Sequence, residues 1–148
     1  MLLVVFVGIP NVYAYIKWNA EFTEFMEMPR ETITGSLVNA KAIVEYIKSR
    51  NIDDISLVTL ARPGEDPFEE DELCAKYIES LLENEFIDMK KEIEKLKESR
   101  GLRFFDKLTQ QDFPERDFYL CTELNKFNFI LKANRDTDGM INIEKVEV

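Results

Sequence analysis

The stretch LVTLARPGEDPFEEDELCAKYIESLL, residues 57–82, joins an apolar run to a loop with Pro and Gly and then to four consecutive acids. Apolar residues at helical spacing follow the acids, so the stretch predicts a buried strand, a loop and an amphipathic helix. Asp66 suits the N-cap, Pro67 suits the first helical position, and Glu69 stands three residues after Asp66, as in a capping box. A strand that leads into a helix is the repeating unit of α/β folds.

The same alternation extends in both directions from this stretch. Residues 2–7 and 31–34 predict strands, and Ser36 is a good N-cap for a helix with an apolar stripe. Residues 88–100 predict an exposed helix, and a shorter helix should follow with Leu120, Cys121 and Leu124 inward. Alternating apolar residues around NRDTDG predict a C-terminal β-hairpin. The expected fold is a single α/β domain, residues 1–148, with α/β/α layers and a mixed β-sheet.

The apolar start, MLLVVFVGIP, has three interpretations: a buried strand that ends at Gly8 or Pro10, a cleaved or anchoring segment, or the start of a truncated domain in the middle of a sheet. The buried strand is favoured because the run is too short to span a membrane and has no basic flank. If residues 2–7 formed an exposed edge strand, they would invite aggregation. A partner sheet or a second chain should therefore cover them, and we expect a homodimer.

Composition excludes several classes of function. Nineteen basic and twenty-nine acidic residues give a net charge of -10, and no basic cluster is present, so nucleic acid is not an expected partner. No membrane association is expected either. Cys74 and Cys121 fall on apolar helix faces, which suits buried, reduced thiols in a cytoplasmic protein. The chain contains no histidine, which excludes every His-dependent nucleophile and His-based metal cluster.

Two segments stand where a strand gives way to a helix, the position at which ligands gather in α/β sheets. In TITGSLVNA, Gly35 and Ser36 form either a cradle for an anion or an ordinary capped helix start. In ARPGEDPFEED, Arg62 and Gly64 could hold a phosphate while neighbouring acids bind Mg²⁺. The alternative is that exposed acids simply favour the first helical turn through the helix dipole.

Three pieces of the chain, in order, resemble the 2-phosphosulfolactate phosphatase family, the Mg²⁺-dependent phosphatases of coenzyme M biosynthesis. They are GSLVNAKAIVEYI, VTLARPGEDPFEEDELCAKYI and FPERDFYLCTELNKFNFILKANRDTDGMINIEKV, and together they span Gly35 to Val148. Two family segments, Asp-x-Leu-Arg-Ala-Thr and Thr-Thr-Asn-Gly-Thr, have no counterpart here.

The resemblance implies Mg²⁺-assisted hydrolysis of a small, acidic phosphate monoester. Glu70 and Asp71 match the family's acidic pair and are the expected metal ligands and, with Arg62, the expected catalytic residues. The expected substrate-binding residues are Gly35, Ser36, Asn39 and Gly64. The alternative is a non-catalytic, truncated relative that binds a small anion or serves in assembly.

Overall fold

The computed structural model describes residues 2–7, 31–59 and 68–148, which form one five-stranded sheet and four helices. The strands are β1 (Leu2–Val7), β2 (Glu31–Gly35), β3 (Asp54–Thr59), β4 (Phe129–Arg135) and β5 (Ile141–Glu147). The helices are α1 (Ala40–Ser49), α2 (Glu69–Glu83), α3 (Met89–Glu98) and α4 (Glu115–Thr122). Short 3-10 helices, Leu37–Asn39 and Arg100–Phe104, precede α1 and follow α3. The predicted strand end at Gly8 or Pro10 lies outside the described residues.

The sheet has the strand order β3-β1-β2-β4-β5 and is mixed. β1 is parallel to both of its neighbours, while β4 is antiparallel to β2 and forms a hairpin with β5. The predicted α/β fold with a mixed sheet and a C-terminal hairpin is therefore confirmed. β1 is interior, as the favoured prediction of a buried strand requires, and its two parallel neighbours supply the cover that an exposed edge strand would need.

Helices α1 and α2 cover one face of the sheet and meet it at Gly35. A Cβ on Gly35 would lie 3.0 Å from Ile43 Cδ1 of α1, 3.1 Å from Val5 Cγ1 of β1 and 3.4 Å from Ile78 Cδ1 of α2. All three of these neighbours are fully buried. The missing side chain at this position therefore lets both helices approach the strands closely.

The apolar stripe predicted for α1 is confirmed, because Ala40, Ile43, Val44 and Ile47 are all buried. The stripe predicted for α4 is wrong for Leu120 and Cys121, although Leu124, just after the helix, is partly buried against the core. Phe118 is its buried residue, and Leu120 and Cys121 are exposed. The inward face is set by the contact of the Phe118 ring with Gly101, which sequence periodicity in so short a helix does not reveal.

A buried polar network lies at the amino end of β2. The Glu31 carboxylate accepts a hydrogen bond from the Tyr46 hydroxyl, and Lys132 Nζ lies 2.8 Å from Glu31 Oε1. Burial favours a raised pKa at Glu31, but the hydrogen bonds from Lys132 and Tyr46 outweigh burial and lower that pKa. Burial and the hydrogen bond to Glu31 raise the pKa of Tyr46 to about 12.

None of the helices in the described part of the chain combines the length and the apolar character needed to cross a membrane.

We expect Tyr46→Phe to lower the free energy of unfolding by ~1.5–3 kcal/mol at neutral pH, because it removes a hydrogen bond to a buried carboxylate. A raised folded-state pKa stabilises the protein fully below the unfolded pKa, about 10 for Tyr, and this contribution is lost as pH rises towards the folded value. The difference between the two proteins should therefore shrink above pH ~10. Urea denaturation at a series of pH values measures it, and a difference that stays constant to pH ~12 would contradict this account.

Gly101→Ala should destabilise the protein by ~1–3 kcal/mol through overpacking. The new Cβ would lie 2.7 Å from Phe118 Cε2 and 2.8 Å from the backbone oxygen of Leu96, which cannot move aside like a side-chain end. Gly35→Ala is the matched comparison, since its Cβ meets only side-chain ends. Chemical denaturation of both variants should rank Gly101→Ala as the more damaging, and the reverse order would count against this packing argument.

Candidate functional site

The carboxyl ends of the three parallel strands lie level with one another. Val7 at the end of β1 is paired with Gly35 of β2 and with Thr59 of β3. The chain after β2 enters α1 through Ser36, and α2 begins at Glu69, ten residues after Thr59, the last paired residue of β3. The two segments that the sequence singled out therefore both follow strand ends on this edge of the sheet, where α/β proteins bind ligands.

The start of α2 differs from the prediction. Phe68 is the N-cap, with extended backbone angles, and its carbonyl oxygen accepts hydrogen bonds from the N–H groups of Asp71 and Glu72. The N-cap is thus Phe68 and the first helical residue is Glu69, in place of the predicted Asp66 and Pro67, which lie outside the described residues. Glu69 is exposed and accepts a hydrogen bond from the Ser99 hydroxyl, so a tertiary contact takes the place of the predicted capping box.

Glu70 faces an arginine that the sequence did not single out. Arg103 Nη2 lies 3.5 Å from Glu70 Oε1, and the guanidinium carbon lies 5.2 Å and 5.0 Å from the ring centres of Phe104 and Phe113. Two atoms of this ion pair, Glu70 Oε2 and Arg103 Nε, are buried and have no hydrogen-bond partner among the described residues. Buried polar atoms are nearly always satisfied in folded proteins, so this pair marks a site where a further group would be stabilised.

Asp71 is buried, with 1% of its surface exposed. The expectation that both members of the acidic pair are exposed first-turn residues is wrong for this one, because the helix turns by about 100° per residue and carries Asp71 inward from Glu70. Burial, followed by the charge of Asp71, raises the pKa of the Cys74 thiol one turn along. Cys74 is accordingly a buried thiol, as predicted, and Cys121 is an exposed one.

The segment Gly35–Asn39 forms a capped helix start. Asn39 Oδ1 accepts hydrogen bonds from the Ser36 N–H at 3.0 Å and the Ser36 hydroxyl at 3.1 Å, and Asn39 Nδ2 donates to the Phe129 carbonyl. Asn125 Oδ1 accepts from the Lys41 N–H, and Asn125 Nδ2 donates to the Tyr77 hydroxyl at 2.6 Å. Ser36 is thus the N-cap of the 3-10 helix that leads into α1, whereas the N-cap of α1 itself is Asn39 and not the predicted Ser36. The N–H and hydroxyl donors of this segment already have partners within the protein.

The remaining candidates, Arg62 and Gly64, lie outside the described residues. Among residues 2–7, 31–59 and 68–148 there is no group of three or more Asp, Glu, Cys or His side chains that could hold a metal ion. The structure thus brings Glu70 together with Arg103 and places Asp71 in the interior. The roles predicted for Arg62 and Gly64 stay predictions. No local signal in the sequence identifies Arg103, because its pairing with Glu70 depends on how the 3-10 helix after α3 packs back on α2.

Asn39→Ala should lower the free energy of unfolding by ~1–3 kcal/mol, because Asn39 is 4% exposed and its loss leaves the Ser36 N–H and the Phe129 carbonyl without their partner. Ser36→Ala removes only one hydroxyl of the same network and should cost less. Urea denaturation of both variants checks the order, and an Asn39→Ala protein as stable as the parent would show that the segment is held by other contacts.

The chain matches a known protein family over most of its length. A family model described as 2-phosphosulpholactate phosphatase matches residues 21–136. The match begins before Gly35 and ends before β5, and it includes the start of α1, the start of α2 and Arg103. No curated protein matches the chain. Since the family model covers well over half of the chain, this protein belongs to the 2-phosphosulpholactate phosphatase family.

Proposed function

We propose that this protein hydrolyses a small, acidic phosphate monoester, with 2-phosphosulfolactate as the first substrate to test and sulfolactate as its product. The observation that carries the proposal is the Glu70–Arg103 pair with its two unsatisfied buried atoms, Oε2 and Nε. A carboxylate and a guanidinium side by side supply the two properties that phosphate-ester hydrolysis requires. One can take a proton from water, and the other can hold an anion.

Glu70 is the proposed general base. Its Oε1 faces Arg103, which leaves Oε2 to accept a proton from an attacking water once the substrate opens the site. Asp71 is the second proposed acid, and it stands at the N-terminus of α2, where the helix dipole favours a carboxylate. Arg103 would hold a phosphate or carboxylate oxygen, and Arg62 and Gly64 are proposed to do the same from the preceding loop.

Mg²⁺ is the proposed cofactor, and Glu70 and Asp71 are the residues that would hold it. Carboxylate oxygens are the ligands that this hard cation prefers, and Glu70 Oε2 has no hydrogen-bond partner among the described residues. Glu70 would then act as a ligand of the cation in place of its role as general base. When bound, the cation would draw charge from the phosphoryl oxygens. Because the chain has a net charge of -10, an anionic substrate needs focused positive charge of this kind.

A binding domain without catalysis is the second candidate. Two observations favour it: Glu70 is already paired with Arg103, and the donors of the Gly35–Asn39 segment are used by Asn39 and Asn125. Gly35, Ser36 and Asn39 would contact substrate only after these hydrogen bonds are exchanged. Hydrolysis assays separate the two candidates directly.

A cytoplasmic location and a homodimer stay predictions. The homodimer no longer follows from β1, since that strand is internal. Light scattering over a wide range of concentration tests the oligomeric state, and a monomer throughout would end that prediction.

The decisive test compares Glu70→Gln with Glu69→Gln. Both residues are acids in the first turn of α2, so both changes remove a charge that interacts with the helix dipole, a contribution of ~0.3–1 kcal/mol for an exposed acid. We expect Glu70→Gln to reduce hydrolysis of 2-phosphosulfolactate ~10²–10⁴-fold, the usual contribution of a general base, and Glu69→Gln to change it little. Release of inorganic phosphate, with and without Mg²⁺, is the measurement.

Calorimetric titration with Mg²⁺ on the same proteins, and on Asp71→Asn, tests the cofactor. Binding should fall for Glu70→Gln and Asp71→Asn and persist for Glu69→Gln. Parent protein that releases no phosphate with Mg²⁺ present but still binds a small phosphate ester would establish the binding domain instead. Equal activity in the two glutamine variants would remove Glu70 from the mechanism.

A further inference from the structure

The two edges of the described sheet differ in how they are protected. β5 carries Glu144, Lys145 and Glu147, and charged residues of both signs discourage pairing with a further strand. β3 forms the other edge, and after Asp54 it consists of uncharged residues, ISLVT. Within the described ranges β3 pairs only with β1. Its second edge therefore offers backbone hydrogen-bonding groups without the charges that usually block strand addition.

A groove of about 590 Å³ runs alongside β3, between this strand and α2. Its floor is formed by the apolar side chains of Ile55 and Leu57 from the strand and of Ala75 and Leu82 from the helix, all of which are only partly buried. Alternate residues of a strand added to β3 would point into this groove, as alternate residues of β3 do. Apolar side chains at those positions would complete the burial of the floor.

The rim of the groove is acidic. It carries Asp53, Glu72, Glu79 and Glu83 with a single cation, Lys76, which lies 3.9 Å from Glu72. A second copy of the chain docked here would bring two acidic rims together, so its approach is disfavoured. A partner with lysine or arginine at the two ends of the groove is favoured by the same charges.

We propose that β3 and this groove bind an extended segment of another protein by strand addition. The segment has apolar side chains at the central groove-facing positions and lysine or arginine at the outer ones. Backbone hydrogen bonds to β3 would supply affinity, and the apolar floor with the acidic rim would supply specificity. This surface lies on α2 away from Glu70, so the proposal does not depend on the hydrolytic function.

The test uses the capped peptide Lys-Thr-Val-Thr-Val-Thr-Lys as the probe, with Glu in place of both Lys as the matched control. Its pattern is the same in both chain directions, so parallel and antiparallel addition are sampled together. Titration into ¹⁵N-labelled protein should shift the amide signals of β3 and of the α2 face around Ala75 and Glu79. The acidic peptide should leave them in place.

Two charge reversals complete the design. Glu79→Lys should weaken the binding of the basic peptide about fivefold, the size of one exposed charge pair. Glu45→Lys changes an equally exposed acid on α1, which pairs with Lys41 outside the groove, and should leave binding unchanged. The two variants have the same net charge. If the peptide bound through a general electrostatic effect, its affinity would fall equally in both, and that result would overturn the proposal.

Two further results would also overturn it. One is an absence of shifts at β3 with the basic peptide. The other is broadening of the β3 signals that grows with protein concentration without peptide, which would identify the occupant as a second copy of this chain.

Discussion

The close approach of α1 and α2 to the sheet at Gly35 is the contact on which the rest of the structure depends. Three fully buried side chains, Val5, Ile43 and Ile78, meet where this residue has no side chain of its own. Val7 of β1 is paired with Gly35 of β2, so this contact also determines how far along the strands α1 and α2 are packed. Asn125 then ties the start of α1 to the middle of α2, because it accepts a hydrogen bond from the Lys41 N–H and donates one to the Tyr77 hydroxyl. Any outward shift of α2 would carry Glu70 away from Arg103, so the geometry of the candidate site is set by packing several residues away.

Two carboxylate clusters of the described residues differ in character, one around the buried Glu31 and one around the half-buried Glu70. At the amino end of β2, the Glu31 carboxylate accepts a hydrogen bond from the Tyr46 hydroxyl and pairs with the Lys132 ammonium group. Both contacts stabilise its negative charge. At the start of α2, the Glu70–Arg103 pair leaves one acceptor and one donor unsatisfied. A polar group that is fully satisfied contributes to a unique fold, whereas an unsatisfied one costs free energy that a bound group can recover. This contrast, more than the presence of acids, separates the structural cluster from the candidate functional one.

Much of the fold follows from the sequence because period-2 and period-3.6 patterns depend on local burial alone. The strands β1 to β3, the stripe of α1 and the C-terminal hairpin are all of this kind. What could not be predicted depends on contacts distant in sequence. β1 is interior because β3 crosses to its far side, and Phe68 caps α2 while Glu69 turns to Ser99. Arg103 reaches Glu70 only through the packing of the segment after α3, and the family resemblance, though confirmed, rests on residues other than this arginine.

Helix α2 has different roles on different sides, and the spacing of its residues explains how they coexist. Successive positions on a helix turn by about 100°, so Glu70 points towards Arg103, Asp71 points into the core, and Glu72, Ala75 and Glu79 share a third direction towards the groove beside β3. The four acids at the helix start are therefore not one acidic patch. Each lies in a separate environment. Glu69 accepts a hydrogen bond from the exposed Ser99 hydroxyl, and Glu70 pairs with the Arg103 guanidinium. Asp71 is buried, and Glu72 lies on the rim of the groove. Because the net charge of the chain is strongly negative, an anionic substrate can be held only where a cation offsets these acids, and Arg103 beside Glu70 meets that condition in the described part of the site.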